Sequence, residues 1–307
     1  MNWFLIALIA PLLWSIVNHI DKYLLSKSYD SFSVNVLMLY STGFSIFVIP
    51  TILLFFKDQM FYSLTQVTTQ IIGGILLTFS IYFYLLALKK EETSKVIPLS
   101  MLVPVFGYFL SFFFLNEILS IKQIIACLII ILGSLILSLE ITEEKRGFKI
   151  KHQVLLLMAF CALFQAIQET LFKHATLENS FIVSIFWVHV GILIYGIVLV
   201  LFNRKLLKEF LMSTRKNGRL MFSFSFLSEL INAIAYMVRD YSMLLAPIAI
   251  IMTLNGYQPV FVFALGTFLT VFFPHFAKEK IKPIHLVHKF ISIAIIILGT
   301  TLITQTL

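Results

Sequence analysis

Ten long apolar stretches restrict the fold of this chain more than any other feature of the sequence. Each runs for about 18 to 28 residues, near or above the length that an α-helix needs to cross roughly 30 Å of hydrocarbon. The chain is 60% hydrophobic and 12% charged, against about 45 to 50% and 25% in soluble domains. The sequence therefore predicts an all-α integral membrane protein. Its ten predicted transmembrane helices are 3–20, 34–56, 70–88, 95–115, 121–139, 153–172, 181–202, 220–243, 247–274 and 286–305.

The segments outside these stretches offer no second folding unit. The connections run from about 4 to 17 residues, too short to hold a core of their own. Met1 and Asn2 form no positive region in front of the first stretch, so we expect that stretch to be retained as a helix rather than cleaved as a signal peptide. Cys127 and Cys161 lie inside apolar stretches, where they indicate no disulfide framework.

Two short motifs occur twice in the chain. Pro104-Val105-Phe106 returns as Pro259-Val260-Phe261, and Ile129-Ile130-Ile131-Leu132-Gly133 returns as Ile295-Ile296-Ile297-Leu298-Gly299. Repetition of half a chain within an all-helical membrane protein is typical of secondary transporters, whose two repeats move about a site between them. The predicted organisation is a first five-helix repeat at 1–139, a cytoplasmic linker at 140–152 and a second five-helix repeat at 153–307.

Lys and Arg residues are distributed unevenly among the connections. Nineteen of the 23 lie in or beside the connections that follow stretches one, three, five, seven and nine. Since positive charge is retained on the cytoplasmic side, these connections, with the hinge-like segment Arg204 to Arg219, are predicted to be cytoplasmic and both termini outside. The net charge of +8 then indicates orientation and contact with anionic lipids rather than nucleic-acid binding. The expected location is the bacterial cytoplasmic, or inner, membrane.

Five helices in each repeat have a geometric consequence. An odd number of crossings makes the second copy enter the membrane upside down relative to the first. The charges agree, because the basic connections are the first and third in one copy and the second and fourth in the other. The sequence thus predicts ten transmembrane helices arranged as two inverted-topology repeats.

The repeated pattern resembles that of the drug/metabolite transporter superfamily, and within it the ten-helix EamA-type carriers. The resemblance covers both halves, with about 11 extra residues between Pro and Gly in the second copy. It implies substrate movement by alternating access, with no chemistry on the substrate, and a central cavity lined by the first, third and fourth helices of each repeat. The residues that carry it are Ala87-Leu88, Pro98, Pro104-Val105-Phe106, Glu117, Gln123 and Gly133, then Ser242-Met243, Pro259-Val260-Phe261, Glu279 and Gly299.

The eighth stretch carries the richest set of polar side chains. They step by three or four residues, which places them within about 100° on one face of a helix. A polar stripe inside a membrane bundle lines water, a substrate or another polar stripe. An alternative is that Arg239 and Asp240 only anchor the outer interface and that Glu229 makes a structural hydrogen bond. The stripe consists of Ser225, Glu229, Asn232, Tyr236, Arg239 and Asp240.

Three other stretches carry shorter polar stripes. An alternative for Asp21 and Glu169 is that they are ordinary solvated carboxylates at helix ends. An alternative for the two amide side chains before Pro259 is a hydrogen bond between helices. Pro259 itself is expected to distort its helix and to free backbone carbonyl groups. The stripes are Trp14, Asn18 and Asp21; Gln165, Gln168, Glu169 and Phe172; and Asn255 with Gln258. With Glu229, Asn232, Tyr236 and Arg239, the residues Trp14, Asn18, Gln165, Glu169, Asn255 and Gln258 form the predicted substrate or coupling site.

The acid and the guanidinium of the eighth stretch suggest two roles. Burial disfavours the charged form of a carboxyl group, so Glu229 is a candidate for proton exchange coupled to transport. Arg239 suits a substrate carboxylate, and the pair suits a zwitterion such as an amino acid. Ten residues of helix separate the two by about 15 Å, however, which is too far for one small amino acid to touch both.

These features favour a secondary-active transporter of a small metabolite, an amino acid or a related compound among them, with coupling to protons as one option. A translocator of a lipid or lipid-linked intermediate, and a non-transporting scaffold or sensor, are the alternatives. The sequence has no HExxH, GxSxG or P-loop motif, so we do not expect an enzyme. His275, His285 and His288 beside Glu279 read as a solvated surface rather than a metal site, and no cofactor is expected. A monomer suffices, and a dimer is left open.

Overall fold

The computed structural model describes residues 2–26, 33–59, 63–90, 96–138, 152–177, 179–272 and 283–305. These residues are helical apart from short connections, which confirms the all-α prediction for them. Each of the ten apolar stretches contains a helix. The helices are α1 Asn2–Ser26, α2 Val34–Phe56, α3 Leu64–Lys90, α4 Leu102–Leu115, α5 Ile121–Ser138, α6 His152–Leu177, α7 Phe181–Phe202, α8 Arg204–Leu245, α9 Ile248–Leu254, α10 Gln258–Phe272 and α11 Pro283–Thr304.

Six of the described helical segments are long and apolar enough to cross a membrane, and three shorter apolar helices accompany them. The protein is a multi-pass integral membrane protein. The six segments are Trp3–Ile20, Val34–Phe56, Leu64–Lys90, His152–Leu177, Phe181–Phe202 and Ile248–Phe272, and the shorter helices are Leu99–Leu115, Ile121–Leu137 and Lys289–Thr304.

The start predicted for the eighth helix was wrong. Helix α8 begins at Arg204, so the segment predicted as a hinge-like connection is helical. Its first turns are built from Lys, Leu, Glu and Arg, which favour helix, and the single Gly218 does not end it.

The ninth stretch is interrupted just before its proline, as the sequence predicted. A 3₁₀ turn, Asn255–Tyr257, separates α9 from α10 and lies next to Pro259. A second 3₁₀ segment, Ile97–Met101, precedes α4 in the same way. In both places the helix that carries the Pro-Val-Phe motif starts after a distorted turn.

The helices pack in pairs drawn from both halves of the chain. Helix α3 lies along α6 and α7, and α8 lies along α1 and α2. Helix α4 contacts α6 and α9, while α1 contacts α10 and α5 runs along α11. The two halves are therefore interleaved through the bundle rather than set side by side.

The repeated aliphatic motif packs against its own copy where α5 crosses α11. A Cβ atom added to Gly133 would lie 2.8 Å from Ile296 Cγ1 and 3.1 Å from Ile295 Cγ2. A Cβ atom added to Gly299 would lie 2.7 Å from Ile130 Cγ1 and 3.1 Å from Ile129 Cγ2. Each glycine thus makes room for the two isoleucines of the other copy, and the contact is reciprocal.

Candidate functional site

A cavity of about 200 Å³ lies between the two halves of the chain. Its walls come from α1, α2, α3 and α6, from both 3₁₀ segments and the helix starts beside them, and from α8. These are the helices that the resemblance implied, together with α2. The polar and aromatic lining residues are Trp14, Asn18, Tyr40, Ser41, Ser80, Tyr84, Ser100, Gln165, Ser225, Ser228, Glu229, Asn232, Tyr236, Asn255 and Gln258.

Among the described residues, one carboxyl side chain lines the cavity. Glu229 of α8 is half-buried, and the Ser41 hydroxyl of α2 donates a hydrogen bond to its Oε1 at 2.5 Å. No Lys or Arg lines the cavity in the part of the chain that the structure describes. The described wall therefore combines the Glu229 carboxyl group with amide, hydroxyl and aromatic groups.

Trp14 and Tyr236 form one end of the cavity. Trp14 Nε1 donates a hydrogen bond of 2.9 Å to Asn232 Oδ1, which joins α1 to α8. The two rings meet edge to face with centroids 5.3 Å apart. The Arg239 guanidinium stacks behind them, its carbon 4.7 Å from the Tyr236 centroid and 5.7 Å from that of Trp14. The rings separate the cavity from this cation.

Arg239 belongs to a buried ionic cluster behind the rings. It is 1% exposed, Glu169 is 0% exposed and Asp240 is 6% exposed. Its guanidinium lies 2.9 Å from Glu169 Oε1 and 2.7 Å from Asp240 Oδ1, and Gln168 contributes an amide oxygen at 3.5 Å. Gln165 donates to Glu169 Oε1 at 2.9 Å and also lines the cavity, so it links the cluster to the site.

A second polar contact lies next along α6. Lys173 forms an ion pair with Glu117, which follows the end of α4, and donates a hydrogen bond of 2.9 Å to the Ala246 carbonyl. The other Glu117 oxygen accepts the backbone N–H of Ile248, at the start of α9, at 2.9 Å. Glu117 therefore ties three helices together.

The structure brings most of the predicted site residues to one place. Eight of the ten line the cavity, whereas Glu169 and Arg239 lie behind it in the ionic cluster. The sequence did not indicate Tyr40, Ser41, Ser80 or Tyr84, because α2 and α3 show no polar stripe. Ser41 is recognisable only through its hydrogen bond to Glu229. The eight lining residues are Trp14, Asn18, Gln165, Glu229, Asn232, Tyr236, Asn255 and Gln258.

A smaller cavity of about 60 Å³ adjoins the first on the other side of Glu229 and Tyr236. His189 lines it and shares a hydrogen bond of 3.0 Å with Ser45, in keeping with a packing role. Among the described residues, no group of three or more His, Cys, Asp or Glu side chains is placed to hold a metal ion.

Several predictions fall outside the described residues. The linker at 140–152 lies outside them up to residue 151, as does Glu279 with His275. The side chains of Asp21, Pro98, His285 and His288 are likewise outside the described part. The solvated position of these histidines stays a prediction. The orientation of the chain in the membrane also stays a prediction.

Comparison with known proteins supports the resemblance inferred from the repeated motifs. The model of the EamA-like transporter family matches residues 1–139, which confirms the relation to the drug/metabolite transporter superfamily. Among solved structures, 29 chains match; one, described as "Crystal structure of protein", has a TM-score of 0.69 at 17% identity. The match covers 99% of this chain and 97% of that one, so the two share a fold throughout. No curated protein sequence matches this chain.

Proposed function

We propose that this protein, whose residues 1–139 belong to the EamA-like transporter family, is a secondary-active transporter of a small metabolite such as an amino acid or a related compound. It works by alternating access, and the central cavity is the substrate site. The observation that carries the proposal is the meeting of both halves of the chain around one cavity with polar walls. Sites between repeats are the usual place for substrate in such carriers.

Symmetric helix packing supports two inverted repeats of five helices, ten crossings in all. If each apolar stretch is exchanged with the one five further along, the pair α3 and α6 becomes α8 and α1. The pair α3 and α7 likewise becomes α8 and α2. The pair α5 and α11 maps onto itself, through the reciprocal contact of Gly133 and Gly299 with the opposite isoleucines. The family match ends at residue 139, where the first repeat is predicted to end.

The cavity lies at the end of the bundle that carries the basic connections. On α3 its lining residues run from Ser80 to Leu88, directly before Lys89 and Lys90. On α8 they run from Ser225 to Tyr236, on the side of Tyr236 that faces the basic start of that helix. Since those connections are predicted to be cytoplasmic, this conformation is inward-facing.

The opposite end of the bundle is closed by buried polar contacts. These are the cluster of Arg239, Glu169 and Asp240, followed by the ion pair of Glu117 and Lys173. Opening to the outside requires these contacts to be broken or shared with water. They form the outer gate in this proposal.

Two alternatives fit the cavity less well. A cavity of about 200 Å³ suits a small molecule, since one of about 150 Å³ in another protein holds benzene. A lipid or lipid-linked translocator needs a larger groove that opens sideways to the bilayer. A non-transporting scaffold has no need of a polar cavity, in which Glu229 and the amides are costly to bury.

The first test is thermal unfolding of the detergent-purified protein with a panel of amino acids, nucleosides, sugars, cationic drugs and lipids. A ligand that binds only the folded chain raises the unfolding midpoint. We expect a soluble metabolite to stabilise the native chain and not Glu229→Gln. Stabilisation by lipids alone, in both proteins, would replace this proposal with the lipid translocator.

The second test is counterflow in proteoliposomes with the metabolite that the panel identifies. Preloaded vesicles should accumulate labelled substrate, and vesicles with Arg239→Gln should exchange it at a different rate because the outer gate is weakened. If protons are coupled through Glu229, Glu229→Gln removes the pH dependence of exchange. Binding without any counterflow would exclude a carrier.

A further inference from the structure

We propose that the cavity binds a flat heterocycle that carries a hydrogen-bond donor and an acceptor side by side on its edge, as a nucleobase does. Asn18 and Gln258 are the amides that recognise this edge. The inference rests on the proposed function, since it narrows the substrate class of the same site. It depends on two amide side chains without a partner, on two rings held in place, and on the aliphatic residues that complete the wall.

Two amide side chains of the wall are available to a ligand. Asn18 on α1 and Gln258 at the start of α10 line the cavity, and neither side chain forms a hydrogen bond within the part of the chain that the structure describes. By contrast, Asn232 and Gln165, two further amides of the wall, each form a hydrogen bond of 2.9 Å with another side chain. The two unused amides come from different halves of the chain, as expected of a site that both halves share.

Part of this unused hydrogen-bonding capacity is buried. The Nδ2 atom of Asn18 and the Oγ atom of Ser225, on α8, are both buried and have no hydrogen-bond partner among the described residues. Buried polar groups in native proteins are nearly always satisfied, so a bound polar group is the expected partner. An amide nitrogen only donates, so the ligand must present an acceptor to Asn18.

Asn18 and Gln258 lie on helices that contact each other. His19, the residue after Asn18, donates a hydrogen bond from Nε2 to the Val262 carbonyl of α10 at 3.1 Å. Val262 follows Gln258 by about one helical turn, so this bond holds α1 against α10 near the two amides. A primary amide presents an N–H and a carbonyl oxygen in one plane. It therefore makes two hydrogen bonds to an edge with an adjacent acceptor and donor, as Asn and Gln do with adenine.

Two aromatic rings of the wall are fixed by contacts outside the cavity. Trp14 is held by its hydrogen bond to Asn232, and Tyr236 by the Arg239 guanidinium, which lies 4.7 Å from its ring centroid. Trp14 is one helical turn from Asn18 on α1. Nucleobases stack on aromatic rings because every base has a flat π face. A flat ligand thus finds a stacking surface beside an amide that binds its edge.

The remaining lining residues are mostly aliphatic, which favours a heterocycle over a sugar. The two faces of a heterocycle are apolar and its polar groups lie on the edge, whereas a sugar carries hydroxyl groups around its whole ring. Hydroxyl groups that face aliphatic side chains lose their hydrogen bonds to water without replacement. The volume of about 200 Å³ admits one or two rings. The aliphatic lining residues include Val17, Leu37, Ile81, Leu85, Leu88 and Met158.

The test is a set of probes that differ in the edge they present. Uracil and adenine are each compared with a fully N-methylated form, which keeps the ring and has no N–H donor. Glucose and phenylalanine represent the rival substrate classes. Thermal unfolding is measured with each probe, for the native chain, Asn18→Leu, Gln258→Met and Gln305→Met. Gln305 is an exposed glutamine that follows α11, and it serves as the matched control.

We expect at least one of the two bases to give the largest saturable rise of the midpoint in the native chain and in Gln305→Met. Its affinity should fall about tenfold or more in Asn18→Leu and in Gln258→Met, through the loss of a two-point amide contact. The midpoint without ligand should stay the same or rise in both variants, because neither amide has a partner to lose. If a variant does not fold, the comparison of each base with its methylated form on the native chain still decides the outcome.

Four results would overturn the inference. They are a methylated base that stabilises as well as its parent, a base response that is unchanged in either amide variant, a larger rise with glucose or phenylalanine than with both bases, and no response to any probe. Failure of the transport proposal is distinguishable. Base binding through the two amides without counterflow removes the carrier and keeps the specificity. Counterflow of phenylalanine without a response to either base keeps the carrier and removes the specificity.

Discussion

Helices α3 and α8 correspond to the third predicted helix of each half of the chain, but they differ in chemistry. When the two Pro-Val-Phe motifs are aligned, Gly73-Gly74 falls opposite Ser228-Glu229. Leu77 falls opposite Asn232, Ile81 opposite Tyr236 and Tyr84 opposite Arg239. Helix α3 uses its small residues to approach α7 closely, since a Cβ atom on Gly74 would lie 2.0 Å from the Val188 carbonyl oxygen. Helix α8 uses the aligned positions for polar and charged groups.

The difference shows that helices at matching places in the two halves can serve different purposes, one close packing and the other the polar chemistry of the site. The pairs of α3 with α6 and α7 correspond to the pairs of α8 with α1 and α2 when the halves are exchanged. Among the described residues, the ionic cluster behind the cavity and the carboxyl group in its wall come from α6 and α8. One acid, Glu229, faces the cavity, and another, Glu169, is sealed behind it. Substitutions at these positions separate the two roles.

The largest effect is expected for Arg239→Gln. It leaves Glu169 and Asp240 buried without their counter-charge, and breaking a buried ion pair in this way costs about 3–5 kcal/mol. The unfolding midpoint in detergent should fall strongly. The aligned change on α3, Tyr84→Phe, should have a much smaller effect. A midpoint for Arg239→Gln as high as that of the native chain would contradict the buried cluster.

Next in size is Gly74→Ala on α3. The added Cβ atom meets backbone on α7, so α3 must shift, and overpacking of this kind costs about 1–3 kcal/mol. Gly73→Ala is the matched control, because the nearest atom to its Cβ would be Gln168 Cγ at 3.9 Å. That variant should be neutral, or stabilised by up to about 1 kcal/mol through helix propensity. Equal midpoints for the two variants would show that α3 and α7 are not in close contact.

A smaller effect is expected for Trp14→Phe. The change keeps a ring against Tyr236 and removes the hydrogen bond from Trp14 Nε1 to Asn232. The expected loss is about 0.5–1.5 kcal/mol, measured by chemical or thermal unfolding. Combined with Asn232→Ala, the second change should add less than it costs alone, and full additivity would rule out the bond.

The smallest effect on stability is expected for Glu229→Gln. Gln keeps the shape of the side chain and an oxygen that can accept from Ser41, so the free energy of unfolding should change by less than about 1 kcal/mol. Ligand-induced stabilisation should nevertheless be lost. Glu169→Gln should show the opposite pattern, a larger change in unfolding with ligand response retained at a temperature where it is folded. Similar behaviour of the two variants would remove the distinction between the cavity acid and the sealed acid.

Much of the fold and of the candidate site was predictable from the sequence. The lengths of the apolar stretches predicted where the helices lie, and Pro259 predicted the distortion of the helix in the ninth stretch. The three-to-four spacing of polar residues identified the site, since eight of the ten predicted site residues line one cavity. The start predicted for the eighth helix was wrong. A basic segment rich in good helix formers can extend a helix beyond its apolar part, and hydrophobic length does not detect such an extension.

The sequence by itself determined that this chain is a multi-pass membrane protein and which face of each helix is polar, because length and periodicity are properties of one segment. Only the tertiary structure decided which polar side chains share a space. Arg239 and Glu229 lie on one stripe, yet the rings of Trp14 and Tyr236 leave one sealed and the other in the cavity wall. Ser41 joins the site from a helix without a stripe. These outcomes depend on how neighbouring helices rotate and approach, which no single segment specifies.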